Sequence, residues 1–91
     1  MRIRWTSDAV TDLENIVSYL HREHASAAPA VVRTIVDTIA GLTRFPNRGR
    51  PGTVPGTREL VMPTLPYIVV YSTTDQAVHL LHIFHAAQDW S

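Results

Sequence analysis

Ninety-one residues, 45% of them apolar and 18% charged, suffice for one folded domain with a modest core and argue against a disordered chain. Net charge is zero, all eight basic residues are arginine, and there is no cysteine, which excludes disulfides, Cys-type zinc sites and a protein-wide basic field for nucleic acid. Charge is nonetheless segregated: Asp8, Asp12, Glu14, Glu23 and Asp37 dominate the first half, and Arg44, Arg48, Arg50 and Arg58 follow with no acid among them.

The N-terminal segment has no apolar run that could act as a secretion signal, and no stretch approaches the roughly 20 apolar residues of a membrane span. A cytoplasmic protein without a membrane partner is therefore expected. Arg2 to Trp5 alternates polar and apolar side chains and predicts a short strand. Thr6 or Ser7 then caps a helix, with Asp8 in the first turn, where negative charge suits the dipole. Val10, Leu13, Ile16, Val17 and Leu20 give this helix one apolar face, which fades near His24. His21 and His24 suit its C-terminal end. Ser26 is the expected cap of a second helix, with Pro29 in its first turn. Val32, Ile35, Val36, Ile39, Leu42 and Phe45 form its apolar stripe, and Pro46 ends it. The two helices read as an antiparallel hairpin.

Asn47 to Gly56 is a loop rich in glycine and proline. Three strands follow: Arg58 to Met62, Tyr67 to Ser72 and Ala77 to His85, the last two joined by a tight turn. The middle one is a near-continuous apolar run and predicts a central strand covered on both faces. The expected fold is α+β: an N-terminal two-helix hairpin packed on a small, mainly antiparallel four-stranded sheet in the order β-α-α-β-β-β, one domain over residues 1–91. Val61, Leu65, Val78 and Leu81 give the strands more apolar surface than two helices are expected to cover.

Five segments are more specific than the element order. They are Phe45-Pro46, Gly49-Arg50-Pro51, Gly56-Thr57-Arg58-Glu59-Leu60, Pro66-Tyr67-Ile68-Val69-Val70-Tyr71, and Leu81-His82-Ile83-Phe84-His85-Ala86-Ala87-Gln88-Asp89-Trp90. In this order and spacing they resemble the RelE/ParE superfamily of type II toxins, ParE-like members more than RelE-like ones. The first strand and the helix carrying Ala9 and Asp12-Leu13 fit as well, so the resemblance spans essentially the whole chain. It implies a toxin that inhibits growth, in the manner of plasmid-stabilisation systems, and is neutralised by a cognate antitoxin whose C-terminal segment wraps it. ParE-like members poison DNA gyrase; RelE-like members cut mRNA on the ribosome. A degenerate, non-toxic module that only binds its antitoxin is a third reading. No cofactor, metal or small-molecule substrate is expected.

Arg58 at a strand start matches a recurring arginine of the family. A guanidinium offers a bidentate fork for phosphate or carboxylate, so Arg48, Arg50 and Arg58, with Trp90, are candidates for contacting the antitoxin or the target. The alternative for the arginines is a solvated surface, and for Trp90 closure of the sheet. His79, His82 and His85 are spaced H-x2-H-x2-H. On a strand this puts His82 opposite the other two, and His79 and His85 lie about 20 Å apart, which disfavours a shared metal. Tyr71 reads as structural first. Gly49-Arg50-Pro51-Gly52 lacks the lysine and hydroxyl residue of a phosphate-binding loop. RNA cleavage needs an acid, a base and fixed cations. Only Arg50, Arg58, His85 and Tyr71 offer such groups, a thin set that favours a toxin without nuclease activity over an mRNA endoribonuclease.

Overall fold

A computed structural model describes residues 1–87 of the chain. In order, its elements are β1 (Arg2–Trp5), α1 (Ser7–Glu23), α2 (Ala28–Ala40), a 3-10 turn (Gly41–Thr43), β2 (Arg50–Pro51), β3 (Arg58–Val61), β4 (Tyr67–Thr73) and β5 (Ala77–His85). The strands form one sheet in the order β1-β5-β4-β3-β2. All neighbours are antiparallel except β1 and β5, which run parallel. The long crossover that a parallel pair requires is supplied by everything between these two strands. The class is the expected α+β, with one strand more than the four read from the sequence. The fifth, β2, lies inside the loop assigned to Asn47–Gly56, where two residues pair with Arg58 and Glu59. The turn between β2 and β3 holds Gly56 at φ 84°, a left-handed conformation that suits glycine.

Thr6 caps α1. Its Oγ1 accepts the Ala9 N–H at 3.2 Å and donates to the Leu80 carbonyl at 2.6 Å, so one hydroxyl both starts the helix and ties it to β5. The second helix departs from expectation at both ends. Ala27, not Ser26, occupies the cap position and makes no side-chain cap bond; the Ala27 and Ala28 amides instead donate to the His24 carbonyl. The helix ends at Ala40, and the 3-10 turn follows. Tighter winding breaks the 3.6-residue phase. Leu42 still reaches the core, but Phe45 is turned outward and is 59% exposed. Val10 and Val36 also lie outside the buried part of their stripes.

The core combines Ile35, Ile39 and Leu42 with Val69, Tyr71 and Leu80 from the sheet. Full burial of each aliphatic side chain contributes about 2 kcal/mol. Tyr67 through Tyr71 are all buried, as expected of the central strand β4. Val78 is fully buried, so it belongs to the core and not to surplus apolar surface; Val61 is 46% exposed.

Register across β4 and β5 shifts between Val70 and Tyr71. Val70 faces His82 and Tyr71 faces Leu80, leaving Leu81 as the extra residue. The bulge changes the histidine parity. His79 (across from Ser72) and His82 (across from Val70) share one face, and His85 (across from Tyr67) takes the other. Simple alternation, which grouped His79 with His85, is thereby corrected. Beyond Leu80, β5 has outrun β1. There the Asp12 carboxylate on α1 accepts the Ile83 N–H at 2.9 Å and lies 3.2 Å from His82 Nδ1. A side chain thus serves where a strand would have paired.

Candidate functional site

The segment from Arg44 to Arg58 carries the arginine cluster, and its shape is set from inside the protein. Tyr71, fully buried on β4, aims its hydroxyl under this loop. The hydroxyl donates to the Pro46 carbonyl at 2.7 Å and accepts the Gly49 N–H at 2.8 Å. A Cβ at Gly49 would stand 2.8 Å from the same ring and hydroxyl and 3.0 Å from the Glu59 carbonyl, so only glycine fits this approach. Arg58, across from Tyr71 in the sheet, donates Nη1 to the Gly49 carbonyl at 2.7 Å and, more weakly, to that of Asn47 at 3.4 Å. Arg50 pairs with Glu59, Nη2 to Oε1 at 3.0 Å, and that carboxylate is nearly inaccessible to solvent. Two of the three arginines assigned to partner contact thus have structural work. Arg50 still keeps 60% of its side chain exposed, and Arg48 is exposed altogether.

His85 lies elsewhere. Its ring meets that of Tyr67 edge-on, centroids 5.8 Å apart. Four residues of β4, about 13 Å of strand, separate the Tyr67–His85 pair from the Tyr71–Arg58 pair. The four residues weighed for catalysis therefore do not converge. Around Tyr67 a groove of about 400 Å³ opens between α1 and the end of the sheet, lined by Asp12, Ile16, Tyr19, Tyr67, Phe84 and His85 among others. Burial raises the Tyr67 phenol above its ordinary value of 10.0, and the neighbouring Tyr19 adds to this. Trp90 lies outside the described residues. Among the described residues no group of His, Asp or Glu could hold a metal ion, and no helix is long and apolar enough to cross a membrane.

Two participants carried no signal in the sequence. Glu59 is buried, because β3 turns its carboxylate to Arg50. Asp12 completes β5 by accepting the Ile83 N–H. A groove between helices and sheet follows from apolar strand surface that two helices do not cover, but its lining depends on how α1 lies against β5.

The chain is a β-α-α-β-β-β-β domain with an arginine-bearing loop held over its sheet. The chain matches the family described as the ParE toxin of the type II toxin-antitoxin system, parDE, over residues 3–90, and it belongs to that family. It is 39% identical to "Putative toxin Y4kP" of Sinorhizobium fredii, over 98% of this chain and 92% of the relative. It is 31% identical to the toxin RelE2 of Caulobacter vibrioides, over 96% of this chain and 97% of the relative. A solved structure of the chromosomal ParDE system of P. aeruginosa superposes with a TM-score of 0.84 at 26% identity, covering 93% of this chain and 95% of the other. The RelBE2 toxin-antitoxin complex of Mycobacterium tuberculosis shares the fold, with a TM-score of 0.67 at 24% identity over 92% and 95% of the two chains. The protein is a toxin of the ParE/RelE type.

Proposed function

We propose that this toxin inhibits growth by poisoning DNA gyrase, without cutting RNA, and that a cognate antitoxin neutralises it. The observation that carries this reading is the prior engagement of the groups a nuclease would use. Tyr71 is buried with its hydroxyl both donating and accepting, Arg58 holds backbone carbonyls, and Arg50 is paired with Glu59. A general acid or base must reach the proton it transfers, and Tyr71 reaches only its own loop. His85 stands a strand's length from the cations that would have to neutralise a phosphate in the same reaction. The match to a ParE family supports the same reading.

Two surfaces suit the antitoxin. The groove beside Tyr19, Tyr67 and Phe84 offers aromatic and apolar lining for a helical or extended segment. The exposed parts of Arg48 and Arg50 suit carboxylates. The two solved relatives, a ParDE system and a RelBE2 complex, support an antitoxin partner. The relative named RelE2 is what favours the alternative, a ribosome-dependent mRNA interferase.

The two activities separate in vitro. Purified toxin incubated with gyrase, ATP and supercoiled plasmid is expected to trap cleaved DNA, and a reporter mRNA in a cell-free translation extract is expected to stay intact. Ribosome-dependent cuts that vanish in His85→Ala or Arg58→Ala would overturn the gyrase reading. Arrest by neither route would leave the antitoxin-binding module.

A further inference from the structure

Phe45 is the most exposed of the large apolar side chains among the described residues, at 59%, although its sequence position continues the buried stripe of α2. The turn that exposes it, with the Phe45 carbonyl accepting the Arg48 N–H at 3.1 Å, keeps Arg44 and Arg48 within three residues of the ring. The Arg44 guanidinium lies 5.9 Å from the ring centroid. Arg48 reaches back toward Gly41, its Nη1 4.0 Å from where a Cβ there would stand. Arg44, Phe45, Pro46, Asn47 and Arg48 together line an open surface pocket of about 690 Å³. Among the described residues neither Arg44 nor Arg48 forms an ion pair, whereas Arg50 nearby does.

We propose that the Arg44–Phe45–Arg48 turn binds single-stranded nucleic acid, one unpaired base stacking on Phe45 and the flanking phosphates meeting Arg44 and Arg48. Three features favour this occupant. With Arg44 over one face, the Phe45 ring is still 59% exposed, and a base presents a π-face to the rest of it whatever its sequence. The Arg44 guanidinium at the ring and Arg48 lining the same pocket, neither ion-paired among the described residues, match the alternation of base and phosphate along a strand, and guanidinium suits phosphate oxygens. The acid on the preceding helix, Asp37, is turned to Arg33, so among the described residues no acid lines the pocket. An acidic peptide would satisfy the arginines but leave the ring face without a specific partner. A stacked duplex would satisfy the phosphates but offer no free base. The inference goes beyond the gyrase reading, since binding of a bare strand requires neither gyrase nor ribosome.

The test is fluorescence anisotropy with the purified chain and a short labelled oligothymidylate, alongside its duplex form and a poly-glutamate peptide. Phe45→Ala is expected to weaken strand binding roughly 5- to 100-fold, the loss of one base–aromatic stack. The doubly substituted Arg44→Gln, Arg48→Gln chain is expected to bind more weakly and to reduce the slope of log K against log salt by about 1.4, for two phosphate contacts on a single strand. Circular dichroism should show both variants folded, because all three side chains are exposed. The proposal fails if the oligothymidylate does not bind, if Phe45→Ala binds it as the parent does, or if the duplex binds as tightly as the single strand. Preferential capture of poly-glutamate would also overturn it, and would make the turn a contact for an acidic protein.

Discussion

Tyr71→Phe is the sharpest test of how the arginine loop is held. The substitution keeps the buried ring and its packing, so almost no cavity term arises. It removes one oxygen, and with it the donor to the Pro46 carbonyl and the acceptor for the Gly49 N–H. Gly49 is buried, so its amide would be left unsatisfied, at about 1–3 kcal/mol. Pro46 is half-buried and its carbonyl can recruit water, which limits that loss to about 0.5–1 kcal/mol. The total is about 1.5–4 kcal/mol, against the roughly 5–14 kcal/mol expected of a domain this size. At about 4–8 °C per kcal/mol, Tm falls by about 6–32 °C. The assay is thermal and urea unfolding by circular dichroism, with amide exchange at Gly49 as the local probe. Tm within about 2 °C of the parent, or an equally protected Gly49 amide, would refute the argument; either result would show that the hydroxyl does not pin the loop.

Gly49→Ala should also destabilise, because its methyl meets both the Tyr71 ring and the immobile Glu59 carbonyl. Combined with Tyr71→Phe the loss should be less than the sum of the two, read from a double-mutant cycle in urea. Asp12→Ala strips β5 of the acceptor for Ile83 N–H and of the carboxylate beside His82, and should cost about 2 kcal/mol with faster exchange at Ile83. Thr6→Ala removes the α1 cap and its tie to Leu80, and should cost about 1–2 kcal/mol in the same denaturation assay. Tyr67 supplies a pH dependence. Its folded pKa lies above the unfolded value of 10.0, so its share of stability is intact below pH 10.0 and is lost as pH rises through the folded value. Unfolding stability measured across this alkaline range should therefore fall less in Tyr67→Phe than in the parent.

The elements that the sequence determined are those set by short-range periodicity and composition. Alternation at Arg2–Trp5, the α1 stripe, and the apolar run of Tyr67–Tyr71 each require burial of one face or both, and that requirement is local. The five ordered segments likewise carried the toxin resemblance, because they mark turns and strand starts at fixed separations along the chain. Three things depended on partners distant in sequence. The fifth strand exists because Arg50 and Pro51 meet Glu59 and Arg58 across a turn, a pairing of two residues too short to show a period. The histidine faces were set by the bulge at Leu81, since one extra residue inverts all that follows, and side-chain identity does not announce it. The arginine cluster looked uniform along the chain. Only the folded sheet brought a buried carboxylate to Arg50 and loop carbonyls to Arg58 while giving Arg44 and Arg48 no ion pair among the described residues, because charge pairing is decided by distance in space.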